Sequence, residues 1–238
     1  MGNSAVDIAQ GCWENGAEVT MIQRGPSYIF RRDSLVKYMY EPNFYKMTPK
    51  TEYETDLAMI SSPMAVRLSR SIALTQMMKM EDAELLSALE AIGFQISYGP
   101  EGTGLIGIVT ERKHPYVNDT GCLQLLAEKK IGLQTGGISH ITENTVVMEN
   151  GTTLEADHLV VATGYQGISA SIKEILGDKV FSKLKKPLVM DEEGEIQCNW
   201  RPTGHERFWL GAHPVLFARS SSKLLALQIL GIELGLNK

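Results

Sequence analysis

The sequence has few cysteines and no long apolar run. Cys12, Cys122 and Cys198 lie far apart, so they do not form the closely spaced pairs that bind zinc. An odd number of cysteines fits a reducing compartment better than a disulfide framework. No apolar stretch approaches the roughly 18 residues of a membrane span, and the N-terminal residues lack the basic and apolar regions of a secretory signal. The sequence therefore predicts a cytoplasmic protein with no membrane span and no metal site.

The chain also lacks an excess of positive charge. Its 23 Lys and Arg residues against 28 Asp and Glu residues give a net charge of -5. Nucleic-acid-binding domains are usually basic, so no nucleic-acid partner is expected. The 238 residues are 43% hydrophobic and 21% charged, which is ordinary for a globular protein. A chain of this length forms one large domain or two small ones.

The first residues are typical of a phosphate-binding turn followed by a helix. Gly2-Asn3-Ser4-Ala5 precedes apolar residues spaced three and four apart up to Trp13, which predicts an amphipathic helix. In the dinucleotide-binding pattern G-x-G-x-x-G/A, Gly2 is the middle glycine and Ala5 the third small residue. Asn3 and Ser4 then open the helix, where free N–H groups attract phosphate. The alternative is an ordinary helix start with a small-residue cap.

A strand predicted over residues 17–22 follows the helix and ends at Gln23 and Arg24. In sites that prefer NAD, an acidic residue at this position binds the ribose 2′-hydroxyl. The guanidinium of Arg24 suits a 2′-phosphate instead. The residue pattern therefore favours NADP(H). The alternative is a solvated arginine after a strand.

The rest of the chain alternates between predicted helices and strands. Apolar periodicity predicts helices over residues 57–79, 81–92, 121–129, 168–176 and about 221–234. The helix over residues 57–79 should break near Ser62-Pro63. Asp119 or Thr120 should cap the helix over residues 121–129. Residues 31–56 are expected to be irregular, and the glycine-rich residues 99–109 to form a surface loop.

The later part of the chain is predicted to be rich in strands. Asn150-Gly151 is a strong hairpin signal between two β-branched stretches. Residues 158–161 are expected to form a short buried strand that leads into Ala162-Thr163-Gly164-Tyr165, and residues 209–212 a further strand. A plain turn at the end of the strand is the alternative for that tetrapeptide.

Three stretches together resemble the flavin-containing monooxygenases, in particular microbial and fungal members. They are residues 2–9 with 19–24, residues 157–165 with their Ala-Thr-Gly turn, and residues 200–205 with Arg219 and Ser222. The resemblance covers nearly the whole chain. It implies an α/β fold in which a Rossmann-like NADPH-binding domain, with a parallel sheet and a β-hairpin insertion, precedes a C-terminal remnant of the FAD-binding domain.

The resemblance also implies a domain division and a set of cofactor-binding residues. Residues 1–165 would be the NADPH domain without its first strand, with a helical insertion at about 31–129, and residues 166–238 the FAD-domain remnant. The resemblance places NADPH phosphates at Gly2, Asn3, Ser4 and Ala5, and the 2′-phosphate at Arg24. It places Ala162, Thr163 and Gly164 near the junction of the two nucleotide sites. No catalytic residue follows from it.

An FAD-binding half with its own glycine turn is not found in this sequence, and two hypotheses follow. In the first, the chain is a flavin-containing monooxygenase-like protein that uses NADPH and FAD to oxygenate a small organic substrate. It is then truncated, and either a separate FAD-binding half or self-association completes it. In the second, it is a redox-dead descendant that acts as a binding protein or a non-redox catalyst in the inherited pocket. If Met1 is a misplaced start, the upstream reading frame should encode the first strand.

Overall fold

The structure, a computed structural model, describes residues 1–45, 51–111, 115–212 and 215–236. It is a mixed α/β protein with small parallel sheets. Two compact units divide the chain. The first comprises Met1–Tyr38 and Ser71–Gly164, and the second comprises Met39–Arg70 and Tyr165–Lys238. These units are defined by packing alone. The predicted division into an NADPH-binding domain up to residue 165 and an FAD-domain remnant after it stays a prediction.

The helices mostly follow the predicted periodicity. They are α1 Asn3–Glu14, α2 Arg32–Leu35, α3 Glu52–Ile60, α4 Met64–Glu81, α5 Ala83–Ala91, α6 Gly104–Glu111, α7 Cys122–Ala127, α8 Ile168–Leu176, α9 Asp178–Phe181 and α10 Val215–Glu233. A π-helix, Val36–Tyr45, follows α2, and a short 3₁₀ turn, Pro100–Gly102, precedes α6. The predicted break at Ser62-Pro63 is confirmed, because α3 ends at Ile60 and α4 begins at Met64.

Local hydrogen bonds define the starts of two helices, of which the one at α7 was predicted. Thr51 and Glu54 form a capping box at the start of α3, which satisfies backbone N–H groups that have no partner within the helix. At α7, the carboxylate of Asp119 accepts a hydrogen bond from the backbone N–H of Leu123 at 3.0 Å. Of the two predicted caps, Asp119 is therefore the one that is used.

The strands form two parallel pairs and one antiparallel meander. They are β1 Thr20–Gln23, β2 Tyr28–Arg31, β3 Tyr116–Asp119, β4 Gly132–Thr135, β5 Ile138–Ile141, β6 Thr145–Met148 and β7 Thr153–Glu155. β1 pairs with β4 and β2 with β3, both in parallel, and β5, β6 and β7 are antiparallel. The hairpin predicted at Asn150-Gly151 is confirmed between β6 and β7, and Gly151 has a φ of 85°, which a side chain disfavours.

The first unit has an apolar core between its parallel strands and its helices. Leu89 of α5, Val117 of β3 and Leu126 of α7 have no exposed surface. Val6 and Ala9 of α1 are buried in the same cluster. The face of α1 that carries them is therefore held against β3 and α7, and this contact fixes the position of the start of the helix.

The prediction of a surface loop over residues 99–109 is wrong. Gly104–Glu111 is the helix α6, and Gly104, Gly107 and Ile108 are buried. A Cβ atom at Gly104 would collide with the Thr75 side chain, and one at Gly107 with Thr103. These glycines allow close packing, so their density in the sequence did not signal flexibility.

The prediction of a buried strand over residues 158–161 is also wrong. These residues form no strand, and Leu159, Val160 and Val161 are 42%, 58% and 71% exposed. A strand needs a neighbour for its N–H and C=O groups, and no described strand pairs with this stretch.

Three other segments differ in detail from their predictions. Residues 209–212 make only isolated bridges, from Trp209 to Pro202 and from Leu210 to Asn199. The segment predicted to be irregular over 31–56 contains helical turns in its described part, and α10 begins before residue 221.

Candidate functional site

The start of α1 offers backbone N–H groups beside a glycine. Gly2 caps the helix in an extended conformation, with φ -135° and ψ -178°, and its carbonyl accepts hydrogen bonds from the N–H groups of Ala5 at 3.0 Å and Val6 at 3.3 Å. The N–H groups of Asn3 and Ser4 have no acceptor within the described part of the chain. Two donors at the positive end of a helix dipole are thus available to an anion.

No protein neighbour requires glycine at position 2. A Cβ atom there would lie 3.9 Å from Cβ of Pro115 and 4.0 Å from the carbonyl oxygen of Tyr116, which is ordinary van der Waals contact. The backbone conformation is also one that any residue adopts. What the glycine provides is an uncovered backbone at the helix start, and this is the property that the phosphate-binding interpretation requires.

The side chain of Asn3 has a structural role. Its Oδ1 accepts a hydrogen bond from the backbone N–H of Asn118 at 2.8 Å, which ties the first turn of α1 to β3. The hydroxyl of Ser27 donates to the carbonyl of Met1 at 2.9 Å. Oδ1 of Asn3 is therefore engaged by the protein, while its backbone N–H remains available to a ligand.

Arg24 lies directly after β1 and is exposed. No acidic side chain pairs with it among the described residues. Partial burial lowers the pKa of the Met1 ammonium group, and the positive charge of Arg24 lowers it further. The guanidinium of Arg24 is therefore close enough to the Met1 ammonium group to interact with it electrostatically.

Gln23 has a role that the sequence did not reveal. Its side chain is fully buried, donates to the carbonyl of Gln95 at 2.9 Å and accepts from the N–H of Gln95 at 2.8 Å. These bonds hold the end of β1 and so position the backbone at Arg24. The sequence offers no signal for them, because Gln95 is remote along the chain and the amide could have faced a ligand instead.

Residues 162–164 do not join the helix start through any described contact. Gly164 has a φ of 87°, and a Cβ atom there would meet nothing within 4 Å. Within the described residues, no hydrogen bond or ion pair links Ala162, Thr163 or Gly164 to residues 2–5 or to Arg24. The cofactor role of these three residues stays a prediction.

The described residues show neither a metal-binding cluster nor a membrane-spanning helix. No group of three or more His, Cys, Asp and Glu residues is arranged to hold a metal ion. No helix among them is long and apolar enough to cross a membrane.

Two bacterial proteins, each named a probable FAD-binding monooxygenase AlmA, resemble this chain. The protein from Acinetobacter sp is 26% identical over 187 residues, which cover 72% of this chain and 35% of that protein. The protein from Acinetobacter baylyi is 26% identical over 174 residues, which cover 69% of this chain and 32% of that protein. The chain spans about a third of the length of these curated relatives. No protein-family model matches the chain.

These comparisons support a distant similarity to FAD-binding monooxygenases, which suggests an oxidoreductase. The sequence motifs also resemble flavin-dependent monooxygenases, so both observations point to the same class of protein.

Proposed function

We propose that the first unit of this chain binds the phosphates of NADPH, as part of a flavin monooxygenase-like oxidoreductase that acts on a small organic substrate. The observation that carries this proposal is the arrangement at the start of α1. Among the described residues, two backbone N–H groups without acceptors, an uncovered glycine and an arginine without an acidic partner occur there. All of them favour a ligand with negative charge.

The residues present fit the phosphate groups of this cofactor. The backbone N–H groups of Asn3 and Ser4 would donate to the pyrophosphate, and Gly2 leaves its approach clear. Arg24, placed by the buried amide of Gln23, would bind the 2′-phosphate. Bound NADPH supplies a hydride, while these residues hold and orient its adenosine end.

Residues 162–164 do not support an FAD site in the same way, because no hydrogen bond or ion pair among the described residues joins them to the helix start. We assign FAD to a separate FAD-binding half or to a complex with a second copy of this chain. The two Acinetobacter relatives are named as probable FAD-binding proteins. This chain matches about a third of their length.

Nucleotide titration by calorimetry tests the NADPH assignment. A charge-assisted arginine–phosphate contact contributes about 1.5–3 kcal/mol, so the chain should bind NADPH about tenfold or more tighter than NADH. Arg24→Ala should remove that preference and leave NADH affinity little changed. Arg32→Ala, which removes another exposed arginine of the same unit, should leave the preference intact. Equal affinity of the unmutated chain for both nucleotides would refute the role of Arg24.

The second candidate function is a redox-dead binding protein, or a non-redox catalyst in the inherited pocket. It is favoured by the exposed stretch over residues 158–161, with which no described strand pairs. We expect the purified chain to be colourless, because flavin needs a glycine-rich phosphate-binding turn and the sequence has no such turn for FAD. An absorbance spectrum after incubation with FAD and desalting measures this, with a flavoprotein as positive control. Colourless protein that also fails to bind either nucleotide would favour the redox-dead function, whereas stoichiometric flavin would count against it.

A further inference from the structure

The loop that carries Arg24 is short and is anchored at both ends. This arginine loop comprises residues 24–26, and it runs between Gln23 and Ser27, neither of which has any exposed surface. Arg24 itself is exposed, and the ring of Pro26 restricts the backbone of the loop further. A three-residue loop between fixed ends has few conformations to choose from, so its ends decide where the guanidinium can reach.

Both ends of the arginine loop are supported by the same backbone segment, residues 95–97. The N–H of Ser27 donates to the carbonyl of Gln95 at 3.1 Å, and the N–H of Ser97 donates to the carbonyl of Ser27 at 2.9 Å. The Gln95 carbonyl also accepts the hydrogen bond from the side chain of Gln23. The two main-chain groups of Ser27 are therefore engaged by this segment, which leaves its hydroxyl for another contact.

The Ser27 hydroxyl makes its contact with the start of α1. It donates to the carbonyl of Met1 at 2.9 Å, and Met1 directly precedes Gly2, which caps the helix. The N–H groups of Asn3 and Ser4, which follow, have no acceptor among the described residues. One fully buried side chain therefore joins the arginine loop to the residues that would receive a phosphate.

We propose that Ser27 is a positioning residue for the nucleotide, because its hydroxyl sets the place of the arginine loop relative to the start of α1. This inference rests on the proposed function, in which the pyrophosphate binds at the start of α1 and the 2′-phosphate binds Arg24. Both anionic groups belong to one molecule, so affinity is highest when the two subsites are already held at the right separation. Without the Ser27 hydroxyl, part of the binding free energy is lost in ordering the loop, and a nucleotide without a 2′-phosphate loses less.

Calorimetric titration of Ser27→Ala with NADPH and with NADH tests this role. The preference for NADPH over NADH should fall about fivefold, which corresponds to the loss of one neutral hydrogen bond of about 1 kcal/mol. Ser34→Ala is the matched control, because Ser34 is a buried serine of the same unit whose hydroxyl donates to Asp82 at 2.8 Å. It removes a hydrogen bond at least as strong, outside the proposed site, and should leave the preference unchanged.

The ratio of the two affinities separates positioning from a general loss of stability. Partial unfolding lowers the fraction of competent chains equally for both nucleotides, so it leaves the ratio of their affinities unchanged. Adding Ser27→Ala to Arg24→Ala should change that ratio no further, because no guanidinium is left to position. Circular dichroism of each variant checks that its fold is intact.

Hydrogen exchange of the nucleotide-free chain measures the link itself. Ser27→Ala should speed amide exchange about fivefold, relative to the core around Leu89, in two segments, residues 1–8 and 23–28. Ser34→Ala should leave both segments unchanged relative to that core. Faster exchange in only one segment, or in neither, would mean that the hydroxyl does not join them, and would overturn the proposal.

The titrations separate this inference from the function on which it rests. Equal affinity of the unmutated chain for NADPH and NADH would refute the 2′-phosphate role of Arg24, and the nucleotide role of Ser27 with it. An NADPH preference that Ser27→Ala leaves unchanged, or that Ser34→Ala lowers equally, would overturn the role of Ser27 alone. A preference that falls in Ser27→Ala and stays in Ser34→Ala would support both.

Discussion

The two units of the molecule bury different kinds of side chain where their elements meet. In the first unit, α1, α5 and α7 pack on the strands through apolar residues such as Leu89 and Leu126. In the second unit, α3 and α10 are joined by an ion pair between Asp56, which is fully buried, and Arg219. Apolar burial stabilises a fold without requiring a specific partner, whereas buried polar groups stabilise it only when they are paired.

The polar contact in the second unit is only partly satisfied. Arg219 Nε and Nη2 donate to the Asp56 carboxylate at 2.6 and 2.9 Å, but the buried hydroxyls of Thr55 and Ser220 have no partner among the described residues. The second unit also exposes the leucines of α10. The first unit therefore holds its fully buried apolar side chains in one cluster, whereas the second unit joins α3 to α10 by an ion pair and leaves leucines of α10 exposed.

The largest expected effect is on the core of the first unit. Leu89→Ala should lower the free energy of unfolding by about 3 kcal/mol, because it leaves a cavity among fully buried neighbours. Leu227→Ala, the same change on the exposed face of α10, should cost less than about 0.5 kcal/mol per chain when the protein is dilute. Urea denaturation followed by circular dichroism measures both. Equal losses of unfolding free energy in the two variants would contradict the difference between a buried leucine of the first unit and an exposed leucine of the second.

The next effect concerns the ion pair of the second unit. Arg219→Met should destabilise the protein by about 2 kcal/mol, because it leaves the fully buried Asp56 without its partner. The double change Arg219→Met with Asp56→Leu should recover much of that loss, since an apolar pair can replace a buried ion pair. Thermal denaturation of the single and double variants checks this. A double variant less stable than Arg219→Met would show that the carboxylate has other necessary contacts.

A smaller effect concerns pH and the first unit. Burial raises the pKa of Tyr28 from its ordinary value of 10.0 to about 12, and a hydrogen bond with the Thr75 side chain partly offsets this rise. Because the folded state favours the neutral phenol, this stabilisation is complete below pH 10 and is lost as the pH rises towards 12. Tyr28→Phe should flatten the alkaline decline in stability, measured by urea denaturation from pH 9 upward. The fully exposed Tyr165 provides the control, since Tyr165→Phe should leave the decline as it is.

The candidate site was predictable in part. The glycine turn, the helix after it and the arginine after the strand were all predicted from neighbouring residues. In the structure, Gly2 lies at the start of α1 and Arg24 directly follows the end of β1, as expected. The buried pairing of Gln23 with Gln95 was not predictable, because it joins residues that are remote along the chain. The cofactor roles themselves remain predictions.

Local interactions explain what the sequence by itself determined. The hairpin at Asn150-Gly151, the break before Met64 and the helix Ile168–Leu176 each depend on residues within a few positions of one another. Turn geometry, the missing N–H of proline and helical periodicity act at that range, so the pattern is sufficient.

Tertiary contacts decided the rest. Whether the glycines of residues 99–109 form a loop or a tightly packed helix depends on Thr75 and Thr103, against which they lie. Whether residues 158–161 become a strand depends on a neighbouring strand with free N–H and C=O groups, and none among the described strands pairs with them. The same apolar residues are buried when such a neighbour is present and exposed when it is not, because backbone pairing and burial are properties of the surroundings and not of the stretch itself.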